Sequence, residues 1–166
     1  MNLQKYHPTV SKIISLLEDN NFEYQTFEHK PVRTSEEAAK IRTGYTLDQG
    51  AKALIMSVKE TKQKKYFAQF VVPGNSKVDS KKITKLLSAK SIRFALPEEI
   101  TTLTDGIQIG GIPPFGNLFN IPVYVDPSLL KNEKIIFNAG DRQFSIGMKT
   151  EDYLKLVKPT VIDFVS

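Results

Sequence analysis

The chain has 166 residues, 40% hydrophobic and 25% charged, the make-up of an ordinary globular protein with material for one core. It holds no cysteine and two histidines, which excludes disulfides, thiolate nucleophiles and cysteine-ligated metal centres and speaks against a histidine-rich metal site. Lysine and arginine outnumber aspartate and glutamate, 23 against 18, and the resulting charge of +5 permits a phosphate-rich partner without requiring one. No apolar run reaches the roughly 20 residues that span a bilayer. Met1-Asn2-Leu3-Gln4-Lys5 lacks a signal peptide's apolar core. The expectation is a single cytoplasmic domain over residues 1–166, with no membrane or DNA partner.

In chain order, Pro8 suits the first turn of a helix, and Val10, Ile13, Ile14 and Leu17 recur at helical spacing up to Asn20-Asn21. Phe22 to Glu28 reads as a strand. Thr34 and Glu37 stand at the spacing of a capping box, opening a short helix through Arg42 that Gly44 stops. Ala51 to Val58 and Tyr66 to Val72 read as strands, and the lysine-rich turn between them predicts a β-hairpin. Asp79 caps a helix to about Leu87, with Ile83, Leu86 and Leu87 inward. Ile92 to Leu96 is a short strand, and Pro97-Glu98-Glu99 begins a helix of one or two turns. Val123 to Val125, Ile135 to Phe137 and Phe144 to Ile146 are strands; a final helix, capped at Thr150, leads to the apolar segment Val161 to Val165. Strands outnumber helices and mostly run consecutively. The fold class expected is α/β (α+β), with a curved, barrel-like, mixed and mostly antiparallel sheet and flanking helices.

Gly106 to Gly116 packs four glycines and the adjacent Pro113 and Pro114 into eleven residues, too many breakers for a helix or central strand. Such a loop can present backbone N–H groups to an oxyanion, although a plain surface turn has the same composition. Its glycine spacing and its place in the chain do not fit a dinucleotide-binding fingerprint. Lys52 opens the apolar run Ala53-Leu54-Ile55-Met56, where an ammonium could bind a phosphate or polarise an ester carbonyl; a snorkelling lysine at a strand end is the plainer reading. In Asn138-Ala139-Gly140-Asp141-Arg142, Asn138 can donate or accept and Arg142 can grip a phosphate, or the segment is a simple hairpin turn. His29, before a proline turn, is a weaker candidate for a general base. Two lysine clusters, Lys59 to Lys65 and Lys77 to Lys90, read equally as a solvated face or an RNA-facing patch.

Taken in order, these pieces resemble the YbaK-type aminoacyl-tRNA editing family, which includes free-standing deacylases and the editing domain inserted in bacterial prolyl-tRNA synthetase. The resemblance runs through His29 to Ala38, Gly50-Ala51-Lys52-Ala53-Leu54, Val72-Pro73-Gly74, Val78 to Lys82, Arg93-Phe94-Ala95, the glycine–proline loop, Val123 to Asp126 and Phe137-Asn138-Ala139-Gly140. It implies a compact α/β fold and hydrolysis of the ester joining a wrong amino acid to the 3′ end of a tRNA. No cofactor or metal is implied. Lys52 matches the family's required lysine; Gly110-Gly111-Ile112-Pro113-Pro114 matches its G-x-x-x-P loop; Asn138, Ala139 and Gly140 match a turn that lines its site. Many cysteine-specific members carry tyrosine at the position of Phe27, threonine at Ala53 and serine at Asn138, so their amino acid is not inherited here.

Both readings converge on a trans-editing deacylase for a small amino acid of the Ala, Ser, Cys or Thr type, related to prolyl-tRNA. Aminoacyl-tRNA is the expected partner, with a synthetase as a possible second. Lys52, Gly110 and Gly111 would carry the chemistry; Phe27, Ile112, Pro113, Pro114, Asn138, Ala139, Gly140 and Arg142 would bind substrate. The attacker would be water, and the short loop suggests a limited pocket. The alternatives are a non-catalytic tRNA- or synthetase-binding module and, further off, a small-molecule hydrolase.

Overall fold

The computed structural model describes residues 1–32 and 34–166. Helix α1 (Pro8–Asp19) starts where proline presets the first turn and His7 Nδ1 accepts the Thr9 N–H at 3.2 Å. Strand β1 (Tyr24–Glu28) follows, then helix α2 (Ser35–Ile41), whose cap Thr34 accepts from the Glu37 N–H at 3.1 Å. Strands β2 (Ala51–Lys59) and β3 (Lys65–Pro73) pair without a break from Ala51↔Pro73 to Lys59↔Lys65. That is the expected hairpin. Helix α3 (Ser80–Leu86), capped by Asp79, leads to β4 (Ser91–Phe94) and α4 (Pro97–Thr104). After the glycine–proline loop come β5 (Val123–Val125), β6 (Lys134–Asp141), β7 (Phe144–Lys149), α5 (Thr150–Val157) and β8 (Thr160–Val161).

The α/β class and the mixed, mostly antiparallel pairing are as expected, but the strands form two open sheets rather than a closed barrel. One has the order β4-β2-β3-β5-β8, with β5 parallel to β3 and β8 parallel to β5; the other is antiparallel, β1-β7-β6. They meet at a bridge between Gly50 and Ile136. The edge strands of the larger sheet, β4 and β8, have four and two residues, short edges that offer little to a further strand. Thr150 does not cap α5 but is its first residue, because its hydroxyl donates to the Asn132 carbonyl at 2.6 Å. Among the described residues no helix is long and apolar enough to cross a membrane.

The two-residue period of β2 sends Met56 and Val58 to one face, with Phe70, Val72, Ile83 and Phe164, and Ile55 to the other, with Ile100, Ile107, Ile112 and Ile121. The largest cluster packs Val10, Ile13 and Leu17 of α1 against Phe137, Phe144 and Ile146. Gln69, fully buried on β3, anchors the glycine–proline loop with both ends of its amide. Nε2 donates to the Pro113 carbonyl and Oε1 accepts the Gly116 N–H, each at 2.9 Å. Asp126 does the same for the C-terminal segment: its carboxylate accepts the backbone N–H groups of Ser128, Phe164 and Val165 at 2.9, 2.9 and 3.1 Å.

Gln69→Met is expected to leave a buried N–H and a buried carbonyl unpaired, at a cost of about 2–4 kcal/mol in urea unfolding. Burial alone would raise the Asp126 pKa, but the hydrogen bonds from Ser128, Phe164 and Val165 outweigh it and the net shift is downward. A depressed folded-state pKa gives stability that is present above the ordinary aspartate value of about 3.9 and lost as pH falls through the folded one. The unfolding midpoint of the wild type should therefore drop more steeply than that of Asp126→Asn as pH falls below about 4, and equal slopes would refute the assignment.

Candidate functional site

A cavity of about 470 Å³ opens between α2, the start of β2, the β4–α4 junction and the glycine–proline loop. Its wall carries Lys52, Arg42, Gly110, Ile112 and Asn138, with Phe94 and Ile109 at the mouth, each 53% exposed. The cavity is wider than the loop alone suggests, because α2 and the β4–α4 junction supply walls of their own. Its size is that of a drug-sized ligand rather than of one small side chain. The charged wall residues are Lys52 and Arg42; no carboxylate lines the cavity among the described residues.

Lys52 is half-buried at the start of β2 and donates to the Ser76 carbonyl at 2.6 Å, which leaves two of its ammonium protons for a ligand. Burial lowers its pKa, Glu36 opposes that shift and Lys77 adds to it. Gly110 takes φ +92°, the left-handed region that suits glycine. Gly111 is buried where a Cβ would stand 3.2 Å from the Arg142 backbone nitrogen and 3.3 Å from the Asp141 carbonyl carbon, contacts that backbone cannot relieve. The Gly111 N–H donates to the Gln108 carbonyl at 2.9 Å and so closes a turn instead of facing the cavity. The Gly110 N–H has no such partner among the described residues.

Two contacts hold the loop from β6. The β6–β7 ladder breaks after Asn138 and resumes at Asp141. This bulge frees the Gly140 N–H to donate to the Gly111 carbonyl at 2.8 Å, while Asn138 Nδ2 donates to the Gly110 carbonyl. The other face of Gly140 packs on Thr9 of α1, away from the cavity. Arg142 lies beside Gly110, its Nε 3.8 Å from where a Cβ there would stand.

Of the residues singled out in the sequence, Lys52, Gly110, Ile112 and Asn138 share the cavity wall. Gly111, Pro113, Pro114, Ala139 and Gly140 stand behind it as supports, with the two proline carbonyls accepting from Gln69 and the Tyr153 hydroxyl. Phe27 reaches the wall only through Tyr45, which it meets edge-on at 5.9 Å. Arg42 was not foreseen as a wall residue. It caps the C-terminus of α2 four residues after buried Ala38, its N–H still bonded to the Ala38 carbonyl, and that spacing is the signal that marks it.

Arg42 is 6% exposed; its Nε donates to Ser145 Oγ at 3.0 Å and its Nη2 to Asn138 Oδ1 at 2.8 Å. His29 Nδ1 lies 2.9 Å from the Lys30 carbonyl, an acceptor only, so Nδ1 carries the proton. In the neutral ring Nε2 then accepts the Ser145 hydroxyl at 2.7 Å. Burial lowers the His29 pKa and favours that neutral ring. This serine–histidine pair is no nucleophile, because Ser145 is fully buried. Among the described residues no group of three His, Asp or Glu side chains is placed to hold a metal ion.

Residues 29–156 match the model of the aminoacyl-tRNA editing domain. The chain is 30% identical over 157 residues to the multifunctional Ser/Thr-tRNA deacylase ProXp-y of Escherichia coli (strain K12), an alignment covering 94% of this chain and 92% of that one. A crystal structure described as "a putative trans-editing enzyme for prolyl tRNA synthetase" superposes with a TM-score of 0.79 at 28% identity, over 96% of this chain and 98% of the other. The hypothetical protein APE2540, 22% identical, shares the fold at a TM-score of 0.80 over 93% and 99% of the two chains. Every residue of the cavity wall falls inside the matched segment, and the chain belongs to the aminoacyl-tRNA editing domain family.

Proposed function

We propose that this chain is a trans-editing aminoacyl-tRNA deacylase, which hydrolyses the ester between the 3′ end of a tRNA and a wrongly attached small amino acid, serine or threonine foremost. The observation that carries this reading is that the editing-domain match, residues 29–156, encloses a cavity whose described wall residues include the cations Lys52 and Arg42 and no carboxylate. The Ser/Thr-tRNA deacylase similar over 94% of the chain supports the amino-acid class, and the structural likeness to a prolyl-tRNA-related enzyme supports a link to prolyl-tRNA. A cytoplasmic site of action, a synthetase that delivers the tRNA and a single editing domain over 1–166 complete the proposal.

In this reading the 3′ end enters over Phe94 and Ile109, whose exposed apolar surface suits a stacked base. Lys52 holds a phosphate of the 3′ end or the ester carbonyl oxygen, and the Gly110 N–H faces the oxygen on which charge develops. The attacker in this reading is water: the chain has no cysteine, Ser145 is sealed in the core, and among the described residues no histidine lines the wall to activate the hydroxyls of Thr34, Ser35 and Thr46. The vicinal ribose hydroxyl orients the water, whose oxygen bonds to the ester carbon. The carbon–oxygen bond to the ribose breaks, a proton passes to the ribose oxygen, and the free amino acid leaves. The wall around Ala38, Ala53 and Ile112 would receive the amino-acid side chain, the rest of the cavity being left for the 3′ end.

The reading is tested by deacylation of tRNAs carrying Ala, Ser, Cys, Thr or Pro, on tRNAs to which they do and do not belong. Wild type should hydrolyse seryl or threonyl esters selectively, and Lys52→Ala should lower kcat/KM by about 100-fold or more. No turnover across the panel, with tRNA still bound, would point to a binding module instead. Gly110→Ala has room for its methyl group, so its folding cost is that of backbone strain alone, about 1–2 kcal/mol. Its deacylation should fall by more than that cost explains; unchanged turnover would remove the loop from the chemistry.

A further inference from the structure

We propose that Arg42 is a second anion-binding group of the cavity, separate from Lys52, and that it holds an oxyanion group of the bound ligand. The inference stands on burial and geometry; only the identity of the oxyanion rests on the deacylase reading. A guanidinium taken out of water costs several kcal/mol unless it is compensated, and a carboxylate is the usual compensation. Arg42 has none among the described residues: it makes no ion pair, and the partners that hold it, Ser145 and Asn138, are neutral. Burial lowers its pKa to about 10, so it remains charged at neutral pH.

Its donors are not all used. Nε and Nη2 are bound to the protein, which fixes the plane of the group, whereas Nη1 has no hydrogen-bond partner among the described residues. No buried side-chain nitrogen or oxygen among those residues lacks a partner, so Nη1 reaches open space. That space is the cavity: Arg42 and Gly50 both line it, and Nη1 lies 3.8 Å from where a Cβ on Gly50 would stand. A fixed cation with a free donor edge, in a cavity that no carboxylate lines among the described residues, is preorganised for an oxyanion. In an aminoacyl-tRNA two groups have that chemistry: a phosphate of the 3′ end, and the ester oxygen that becomes an oxyanion and then the carboxylate of the released amino acid.

The first measurement is the Arg42 side-chain nitrogen resonances during titration with inorganic phosphate and, separately, with acetate. A saturable shift with either anion, retained in Lys52→Met, is the expected result. No saturable shift with either anion, or a shift that disappears with Lys52→Met, overturns the proposal and leaves Arg42 as a structural staple. Thermal stabilisation by the same anion should be absent from Arg42→Met; if that variant does not fold, the titrations of wild type and Lys52→Met decide alone. The source of the oxyanion is read from Arg42→Lys. A fall in kcat of about 100-fold with KM nearly unchanged assigns it to the reacting ester, and a rise in KM at constant kcat assigns it to a phosphate. Wild-type kcat and KM in that variant would place the oxyanion elsewhere and overturn the proposal. Anion binding through Arg42 without hydrolysis of any aminoacyl-tRNA would sink the deacylase reading and leave the anion site standing.

Discussion

The guanidinium of Arg42 is the point from which the cavity is held together. It donates to Asn138, and Asn138 donates to the Gly110 carbonyl; it donates to Ser145, and Ser145 donates to His29, which donates to the Lys30 carbonyl. Helix α2, both strands of the β6–β7 pair, the glycine–proline loop and the segment after β1 are thereby joined in one directed network. Such networks polarise along their length, and their geometry is fixed when each member is satisfied. Here the partners of Arg42 Nε and Nη2 are neutral and Nη1 is left free, so the positive charge at the source is not cancelled. The same residue stiffens the wall and charges it.

That charge limits the chemistry the cavity can perform. With Lys52 and Arg42 in the wall and no carboxylate among the described lining residues, paired-carboxylate acid–base catalysis has no residues there to run on. Among the described residues no carboxylate lines the wall to meet the α-ammonium of an aminoacyl ester, which in the deacylase reading leaves selection to the space around the side chain and to hydrogen bonds. Apolar walls separate side chains by size at only about 1–3 kcal/mol per methylene, which makes exclusion of larger residues easier than separation of near-isosteres. A relative that acts on both Ser- and Thr-tRNA fits a pocket with that limit.

Much of this was legible in the sequence wherever a local rule fixes the backbone. Thr34 and Asp79 cap their helices, Pro8 and Pro97 open theirs, and the β2–β3 hairpin pairs as its turn suggests. The parallel additions of β5 and β8 were not legible, because strands of three and two residues carry almost no periodicity and their partners lie far away in the chain. Pro113, Pro114 and Ala139 lie next to the cavity wall without lining it: which side of the loop faces the cavity depends on Gln69 and the β6 bulge, neither of which leaves a local pattern. Arg42 stands out less, because a cation at a helix end ordinarily faces water. Only its four-residue spacing from Ala38 argued otherwise.

Asn138 shows how a substitution can be misjudged without its neighbours. Set against the serine that many cysteine-specific members resembling this chain carry there, an asparagine suggests a lost hydroxyl contact to substrate. In the fold the carboxamide is committed to the protein: its oxygen takes a proton of Arg42 and its nitrogen gives one to the Gly110 carbonyl. An amide separates its acceptor from its donors and spans that gap in one side chain, whereas a hydroxyl puts both functions on a single atom. Asparagine thus couples the charged group to the glycine loop directly, and the orientation of the Gly110–Gly111 peptide follows from the position of Arg42. A contact from residue 138 to the amino acid is therefore not needed to explain the asparagine, and the free wall around Ala53 and Ile112 is where a side chain would be read.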